Sequence, residues 1–253
     1  MTPMTRTRAG RALLGAAILV VILPLAAGGA PGQPRERDGR QGASPRTGTE
    51  VPELASFDRI VPSLMAKWGV PGAAVAVVQE GRLILARGYG WADREARQPV
   101  QPDSLFRIAS LSKSLTSAAI LQLVEEGKLR LDDKAFDLLK DLRPRAGARV
   151  NPQLRQITLR NLLQHSGGWD SGKSFDPMFR SREIAGAMGV PTPAGPEAIV
   201  RYMLDQPLQF TPGTAYAYSN FGYCVLGRVI EKVTGDSCLA ASSRPNSSAR
   251  NSL

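Results

Sequence analysis

The stretch FRIASLSKSLTSAAI, residues 106–120, places a serine and a lysine three positions apart at the start of an apolar, helix-forming run. Side chains three residues apart share one face of a helix, so Ser110 and Lys113 are predicted to lie within hydrogen-bond reach. A serine becomes a strong nucleophile when a base takes its proton, and a neutral lysine, which burial favours, can be that base. The pattern predicts a nucleophile with its own base, although it also occurs by chance.

A second stretch, Tyr218-Ser219-Asn220, follows a Pro-Gly turn and precedes another apolar, helix-forming run. A tyrosine hydroxyl can relay a proton to a leaving group, and an asparagine amide can hold a substrate carbonyl. Either stretch alone is weak support for a site. Together, in this order and roughly a hundred residues apart, the two stretches are informative and make Ser110, Lys113, Tyr218 and Asn220 the candidate functional residues.

Other catalytic and metal-binding arrangements are not favoured by the sequence. His165 is the only histidine, and no Gly-x-Ser-x-Gly elbow accompanies it, so a structural role is expected for it rather than a Ser-His-Asp triad. The two cysteines, Cys224 and Cys238, form no Cys-x-x-Cys pair. We therefore expect no zinc site of the Cys/His type.

Composition is that of a globular protein with a basic surface. The chain has 253 residues, of which 43% are hydrophobic and 21% charged, enough for one substantial domain. The formal net charge is +10, but the basic residues are scattered and no basic run interleaved with aromatic residues occurs. A solvated surface is expected, with no nucleic-acid partner.

The two ends of the sequence differ from its middle. A positive n-region, an apolar run and small residues predict a signal peptide or membrane anchor over residues 1–30, with export to the periplasm, the extracellular space or the membrane surface. Residues 12–30 are just long enough for membrane association as an anchor. A disordered linker is expected over residues 31–52 and an incomplete folded domain over residues 53–236, followed by a disordered or frameshifted tail over residues 237–253.

Apolar periodicity and turn residues predict the elements between these ends. Two Val- and Leu-rich runs flank Glu80-Gly81 and predict a β-hairpin, ahead of mostly helical segments. Pro62 is expected to kink or restart the first helix, and residues 170–196, rich in Pro, Gly and Ser, to form a long loop. A helix is predicted over residues 110–126, with an apolar face that includes Leu111 and Leu115. Three further helices are predicted: one capped by Thr158, one with Pro196 in its first turn, and one ending at Gly235.

Four segments in this order resemble the serine β-lactamase and penicillin-binding-protein superfamily, most closely its branch of class C β-lactamases, D-alanyl-D-alanine carboxypeptidases and esterases. The resemblance implies an α+β fold of the β-lactamase/transpeptidase type (an α/β sandwich), with an antiparallel sheet flanked by helices and an all-helical region. The segments are FRIASLSKSLTSAAILQLVEEGKLRLDD at 106–133, GVPGAAVAVVQEGRLILARGYGWAD at 69–93, ITLRNLLQHSGGW at 157–169 and FTPGTAYAYSNFGYCVLGRVIEKVTG at 210–235.

The resemblance also implies a role for each candidate residue. Ser110 would be the acylated nucleophile, with its own N–H as half of the oxyanion hole, and Lys113 its general base. Tyr218 would pass the proton to the leaving group, and Asn220 would position the substrate carbonyl. His165 would brace a loop. No metal and no cofactor would take part, and the substrate would be a small-molecule or peptidoglycan-type acyl compound: a β-lactam, a D-alanyl peptide or a small ester.

One family motif is not found in the sequence. The family carries Lys-Thr-Gly or His-x-Gly on a strand beyond the Tyr-x-Asn segment, and no such motif follows Asn220. The C-terminal strands are therefore expected to be missing, which would leave an unpaired apolar edge on residues 72–88. Three hypotheses follow: an exported serine hydrolase, a truncated inactive product that is at most a binding module, and a membrane-anchored cell-wall scaffold.

Overall fold

The computed structural model describes residues 17–21 and 44–237. Most of the predicted signal peptide and linker, and all but the first residue of the predicted tail, lie outside the described residues. The chain divides into two compact units, residues 1–109 and residues 110–253. None of the described helices is both long and apolar enough to cross a membrane.

The first unit contains an antiparallel sheet and one long helix. The strands run in the order β1-β3-β4-β2, and β5 pairs with β4. The elements are β1 (Ala17–Val21), β2 (Arg46–Thr47), a 3-10 turn (Pro52–Leu54), α1 (Ala55–Trp68), β3 (Gly72–Gln79), β4 (Arg82–Asp93) and β5 (Gln98–Pro99).

The predicted β-hairpin is confirmed. Glu80 and Gly81 join β3 to β4 and have φ angles of 50° and 74°, so both central residues of the turn are left-handed. A two-residue turn of this hand matches the twist of the flanking strands, and glycine adopts it at no steric cost. The turn sets the register at Gln79 opposite Arg82.

Three expectations about this unit need correction. The far edge of β3 is paired rather than open, since the apolar segment Ala17–Val21 lies antiparallel to it and satisfies its backbone groups. Order begins before residue 53, because Arg46–Thr47 pairs with β4. Of the expected kink or restart at Pro62, the restart does not occur, since the 14 residues of the first helix are continuous from Ala55 to Trp68.

A buried charge cluster ties α1 to the sheet. The guanidinium of Arg87, 3% exposed, donates to both carboxylate oxygens of Asp58 at 3.2 and 3.1 Å and to the carbonyl of Gly48 at 2.6 Å. Tyr89 donates its hydroxyl to Asp58 at 2.8 Å. Burial, followed by the hydrogen bond and charge of Asp58, raises the pKa of Tyr89 to about 12. Each charged or polar group in the cluster has a partner.

We expect Asp58→Asn to lower the free energy of unfolding by about 3 kcal/mol, because it leaves a buried guanidinium without its main counter-charge. The measurement is urea unfolding followed by tryptophan fluorescence. Glu53→Gln is the matched control, since Glu53 is exposed in the turn before α1 and a surface change of this kind costs at most about 0.5 kcal/mol. Equal losses in the two variants would contradict this account of the cluster.

The second unit is helical and is organised around its last helix. α7 packs against α2, α3, α4 and α6 and buries the side chains of Phe221, Val225, Leu226, Val229 and Ile230. Three 3-10 turns precede α2, α4 and α5: Ala109–Leu111, Pro152–Gln156 and Pro177–Phe179. The helices are α2 (Ser112–Glu125), α3 (Ala135–Leu138), α4 (Leu159–Leu163), α5 (Ser181–Met188), α6 (Pro196–Met203) and α7 (Asn220–Thr234).

The predicted start or end residues of three helices are confirmed. Thr158 and Asn161 form a capping box at α4, Pro196 starts α6, and Gly235 ends α7 in the left-handed conformation. The predicted loop over residues 170–196 is wrong, because it contains α5. That helix has only eight residues and two buried side chains, too few for its apolar period to stand out.

The side of α2 that is buried also differs from the prediction. Leu111 and Leu115 are 46% and 47% exposed, whereas Ala119, Ile120 and Leu123 enter the core of the helical unit. The antiparallel sheet of the first unit and the helices of the second together confirm the predicted α+β class.

Candidate active site

Ser110 and Lys113 meet at the N-terminal end of α2. Ser110 lies in the 3-10 turn that leads into the helix, and Lys113 lies in the first helical turn. Ala109, directly before the serine, has a φ of 44°, a conformation that costs energy for a residue with a Cβ. The resulting geometry puts Nζ of Lys113 3.3 Å from Oγ of Ser110.

Tyr218 and Asn220 reach the same place from the start of α7. Ser219 caps that helix by accepting the N–H of Gly222 at 3.0 Å, which fixes Asn220 as its first residue and Tyr218 just outside it. The hydroxyl of Tyr218 lies 2.6 Å from Oγ of Ser110. The four residues predicted from the two sequence stretches therefore come together within one unit of the chain.

The amine of Lys113 is held from two sides. It donates to Oδ1 of Asn220 at 2.7 Å. It also lies 4.8 Å from the ring centroid of Tyr218 and 5.6 Å from that of Tyr223, where the aromatic faces attract a cation. These contacts hold Nζ beside the serine oxygen, so the lysine is positioned before any substrate arrives.

Tyr223 is a site residue that sequence analysis missed. Its hydroxyl donates to the carbonyl of Leu163 at 3.2 Å and lies 3.0 Å from Oγ of Ser117 on α2. The residue is one turn beyond Asn220 on α7, a spacing that could have placed it on the same helix face. Nothing in its own neighbourhood in the sequence separated it from an ordinary core tyrosine.

The phenol of Tyr218 is biased toward losing its proton. Partial burial raises its pKa, and so does the charge of Asp176, but hydrogen bonding with Lys113 and Ser110 and the charge of Lys113 lower it more. The net pKa lies below the usual 10.0. A phenol of this kind exchanges protons more readily near neutral pH, as a proton relay requires.

His165 supports the tyrosine loop. Its Nδ1 accepts the backbone N–H of Ser219 at 3.1 Å, and its carbonyl accepts that of Ala217 at 2.9 Å. Its ring centroid lies 4.6 Å from that of Tyr218. Burial and then the charge of Lys113 lower the pKa of His165, which keeps Nδ1 available as an acceptor. These contacts agree with the structural role expected for it.

His165 predicts a specific acid sensitivity. Because its pKa is below 6.5 in the folded chain and near 6.5 in the unfolded chain, the unfolded chain binds the proton first as the pH falls. The free energy of unfolding should therefore decrease below pH 6.5, by up to about 1.4 kcal/mol per pH unit. Urea unfolding from pH 5 to 8 measures the slope.

The matched variant is His165→Asn, because asparagine tolerates the positive φ of 56° at this position and does not titrate. Since the chain has a single histidine, no other histidine can replace its contribution. We expect the slope between pH 5.5 and 6.5 to flatten in the variant. An unchanged slope would show that His165 is not the titrating group.

The geometry places a serine hydroxyl beside a lysine amine and a tyrosine hydroxyl, groups that can activate a serine as a nucleophile. Residues 57–242 match the Beta-lactamase family, and the chain belongs to that family. This confirms the resemblance drawn from the four sequence segments. The family is one of serine hydrolases and related penicillin-binding proteins, with a β-lactamase/transpeptidase-like fold.

Relatives with names or structures support the same assignment. Esterase EstB of Burkholderia gladioli is 32% identical over 193 residues, covering 74% of this chain and 47% of that protein. The octameric penicillin-binding protein homologue from Pyrococcus abyssi superimposes with a TM-score of 0.57 and 29% identity, covering 75% of this chain and 41% of that one. D-alanine carboxypeptidase AmpC from Burkholderia cenocepacia superimposes with a TM-score of 0.52 and 27% identity, covering 74% of this chain and 44% of that one. The chain spans less than half the length of each.

Proposed function

We propose that this protein is a serine hydrolase that forms an acyl-enzyme on Ser110 with amide or ester substrates. The observation that carries the proposal is the position of the serine oxygen, 2.6 Å from the hydroxyl of Tyr218 and 3.3 Å from Nζ of Lys113. Two groups able to exchange protons thus flank one nucleophile. A catalytic hydrogen bond as long as the 3.3 Å contact of Lys113 is common before substrate binds.

The proposed reaction has two steps. Oγ of Ser110 attacks the substrate carbonyl carbon while Lys113 takes the hydroxyl proton, and the negative charge develops on the carbonyl oxygen near the N-terminal end of α2. Tyr218 passes the proton to the departing nitrogen or oxygen, which leaves an ester on Ser110. Water then attacks this ester, loses a proton to the same groups and releases the acid.

The substrate class follows from the family rather than from a pocket. An esterase and a D-alanine carboxypeptidase are among the relatives, so a β-lactam, a D-alanyl peptide of peptidoglycan type and a small ester are the candidates. We further propose that the protein works outside the cytoplasm, in the periplasm, in the extracellular space or at the membrane. The support is the sequence of residues 1–30, in which several arginines precede a long apolar run, as in a signal peptide.

Covalent labelling tests the proposed nucleophile and base. The full chain, shown to be folded by circular dichroism, is incubated with a fluorescent penicillin and separately with a fluorophosphonate. We expect labelling that disappears in Ser110→Ala and slows by about 10²- to 10⁴-fold in Lys113→Ala, the usual contribution of a general base. Ser114→Ala is the matched control, because Ser114 is an exposed serine on the same helix.

The same experiment separates the proposal from its rivals. Equal labelling of Ser110→Ala and the unsubstituted chain would show that another residue reacts. A folded chain that binds penicillin reversibly and never forms an adduct would support the binding-module hypothesis instead. A folded chain that neither binds nor reacts would leave the scaffold hypothesis.

A further inference from the structure

Asp176 brings a carboxylate to the site from the segment that precedes α5. Its Oδ1 accepts the backbone N–H of Met178 at 3.0 Å, which caps the turn Pro177–Phe179. Its Oδ2 accepts a hydrogen bond from Nδ2 of Asn220 at 2.6 Å. The two carboxylate oxygens thus have separate tasks, one in the turn and the other at the active-site amide.

The partners of Asn220 leave its amide one favourable orientation. The carboxylate of Asp176 can only accept hydrogen bonds, so it must face the NH₂ group of the amide. The amine of Lys113 then donates to the amide oxygen at 2.7 Å. In the flipped orientation the amide oxygen would face the carboxylate of Asp176, with no hydrogen between the two oxygens. Nδ2 carries a second N–H beyond the one given to Asp176, and that hydrogen is free to meet a substrate carbonyl.

We propose that Asp176 is a positioning residue of this site: it fixes the amide of Asn220 so that the amide oxygen holds Lys113 beside Ser110 and the remaining N–H points to the substrate. The inference rests on the proposed acyl transfer and adds a residue to it. A hydrogen bond with an ionised partner is about twice as strong as a neutral one, which suits a group that must hold another in place.

A turn cap alone does not account for the contacts of this side chain. Capping uses only the oxygen that faces Met178, whereas the shorter contact is with Asn220. Among residues 44–237, no lysine or arginine forms an ion pair with Asp176, so no cation of the fold holds its carboxylate in place. The amide of Asn220 is its one side-chain hydrogen-bond partner in that part of the chain.

Asp176→Asn tests the role without removing the cap. The new amide keeps its oxygen on the N–H of Met178 and therefore turns its own NH₂ group toward Asn220. Two NH₂ groups then face each other, which favours a flip of the Asn220 amide and points its NH₂ group at Lys113. We expect fluorophosphonate labelling to slow by about 10- to 100-fold. Losses of this size are typical in metal sites when a residue that orients a functional side chain is removed. The melting temperature should change little.

Asp170→Asn is the matched control. Asp170 lies in the same segment and accepts the N–H of Gly172 at 2.9 Å, but it contacts none of the four catalytic candidates. We expect this variant to label at the rate of the unsubstituted chain. A loss in Asp176→Asn no greater than the loss in Asp170→Asn would overturn the proposal.

An activity-independent measurement separates this inference from the proposed function. The side-chain amide of Asn220, assigned by its loss in Asn220→Ala, should show one strongly deshielded proton in ¹H–¹⁵N spectra, and Asp176→Asn should abolish that shift. If the unsubstituted chain fails to label, the proposed function fails, and this spectrum still decides the positioning. An amide signal unchanged by Asp176→Asn would refute the positioning.

Discussion

The hydrogen bond from Nζ of Lys113 to Oδ1 of Asn220, 2.7 Å long, joins the first turns of α2 and α7, and the site depends on it. Ser110 lies just before α2 and Lys113 in its first turn, and Tyr218 lies just before α7, which begins at Asn220. The N-terminal end of a helix exposes unpaired N–H groups and a partial positive charge, so bringing two N-terminal ends together favours a site for developing negative charge. The buried apolar face of α7 anchors this helix in the core of the helical unit.

Much of the site follows from local signals in the sequence. Ser110 and Lys113 are one helical turn apart, so their proximity needs only that residues 110–113 turn as a helix. Ser219 is a good N-cap, which places Asn220 inside α7 and Tyr218 outside it. That the two pairs meet could be inferred only from the family resemblance. Their separation in sequence, 107 and 108 residues between partners, carries no geometric information of its own.

Sequence analysis missed contacts between residues far apart in the chain and one short helix. Asp176 lies 44 residues before Asn220, in a segment whose Pro and Gly content predicted a loop, and its role comes from one contact across the fold. The eight residues of α5 are too few to show a helical period. The β3–β4 hairpin was predictable because a two-residue turn specifies it. The pairing of Ala17–Val21 with β3 was not, since it joins segments more than fifty residues apart.

The two units use polar groups in different ways. In the sheet unit, Asp58, Arg87 and Tyr89 satisfy one another in a buried cluster, and these contacts stabilise the attachment of α1. In the helical unit, Ser110 and Tyr218 remain exposed. A satisfied cluster supports a fold, whereas exposed reactive groups with fixed partners suit catalysis.

The most direct test of the account is the location of the covalent adduct. After reaction with penicillin, trypsin cleaves at Arg107 and Lys113 and releases residues 108–113, and fragmentation of this peptide distinguishes Ser110 from Ser112. The account predicts a single penicilloyl group on Ser110 of the folded chain. An adduct on Ser112 or elsewhere, or a folded chain whose mass does not change, would contradict it.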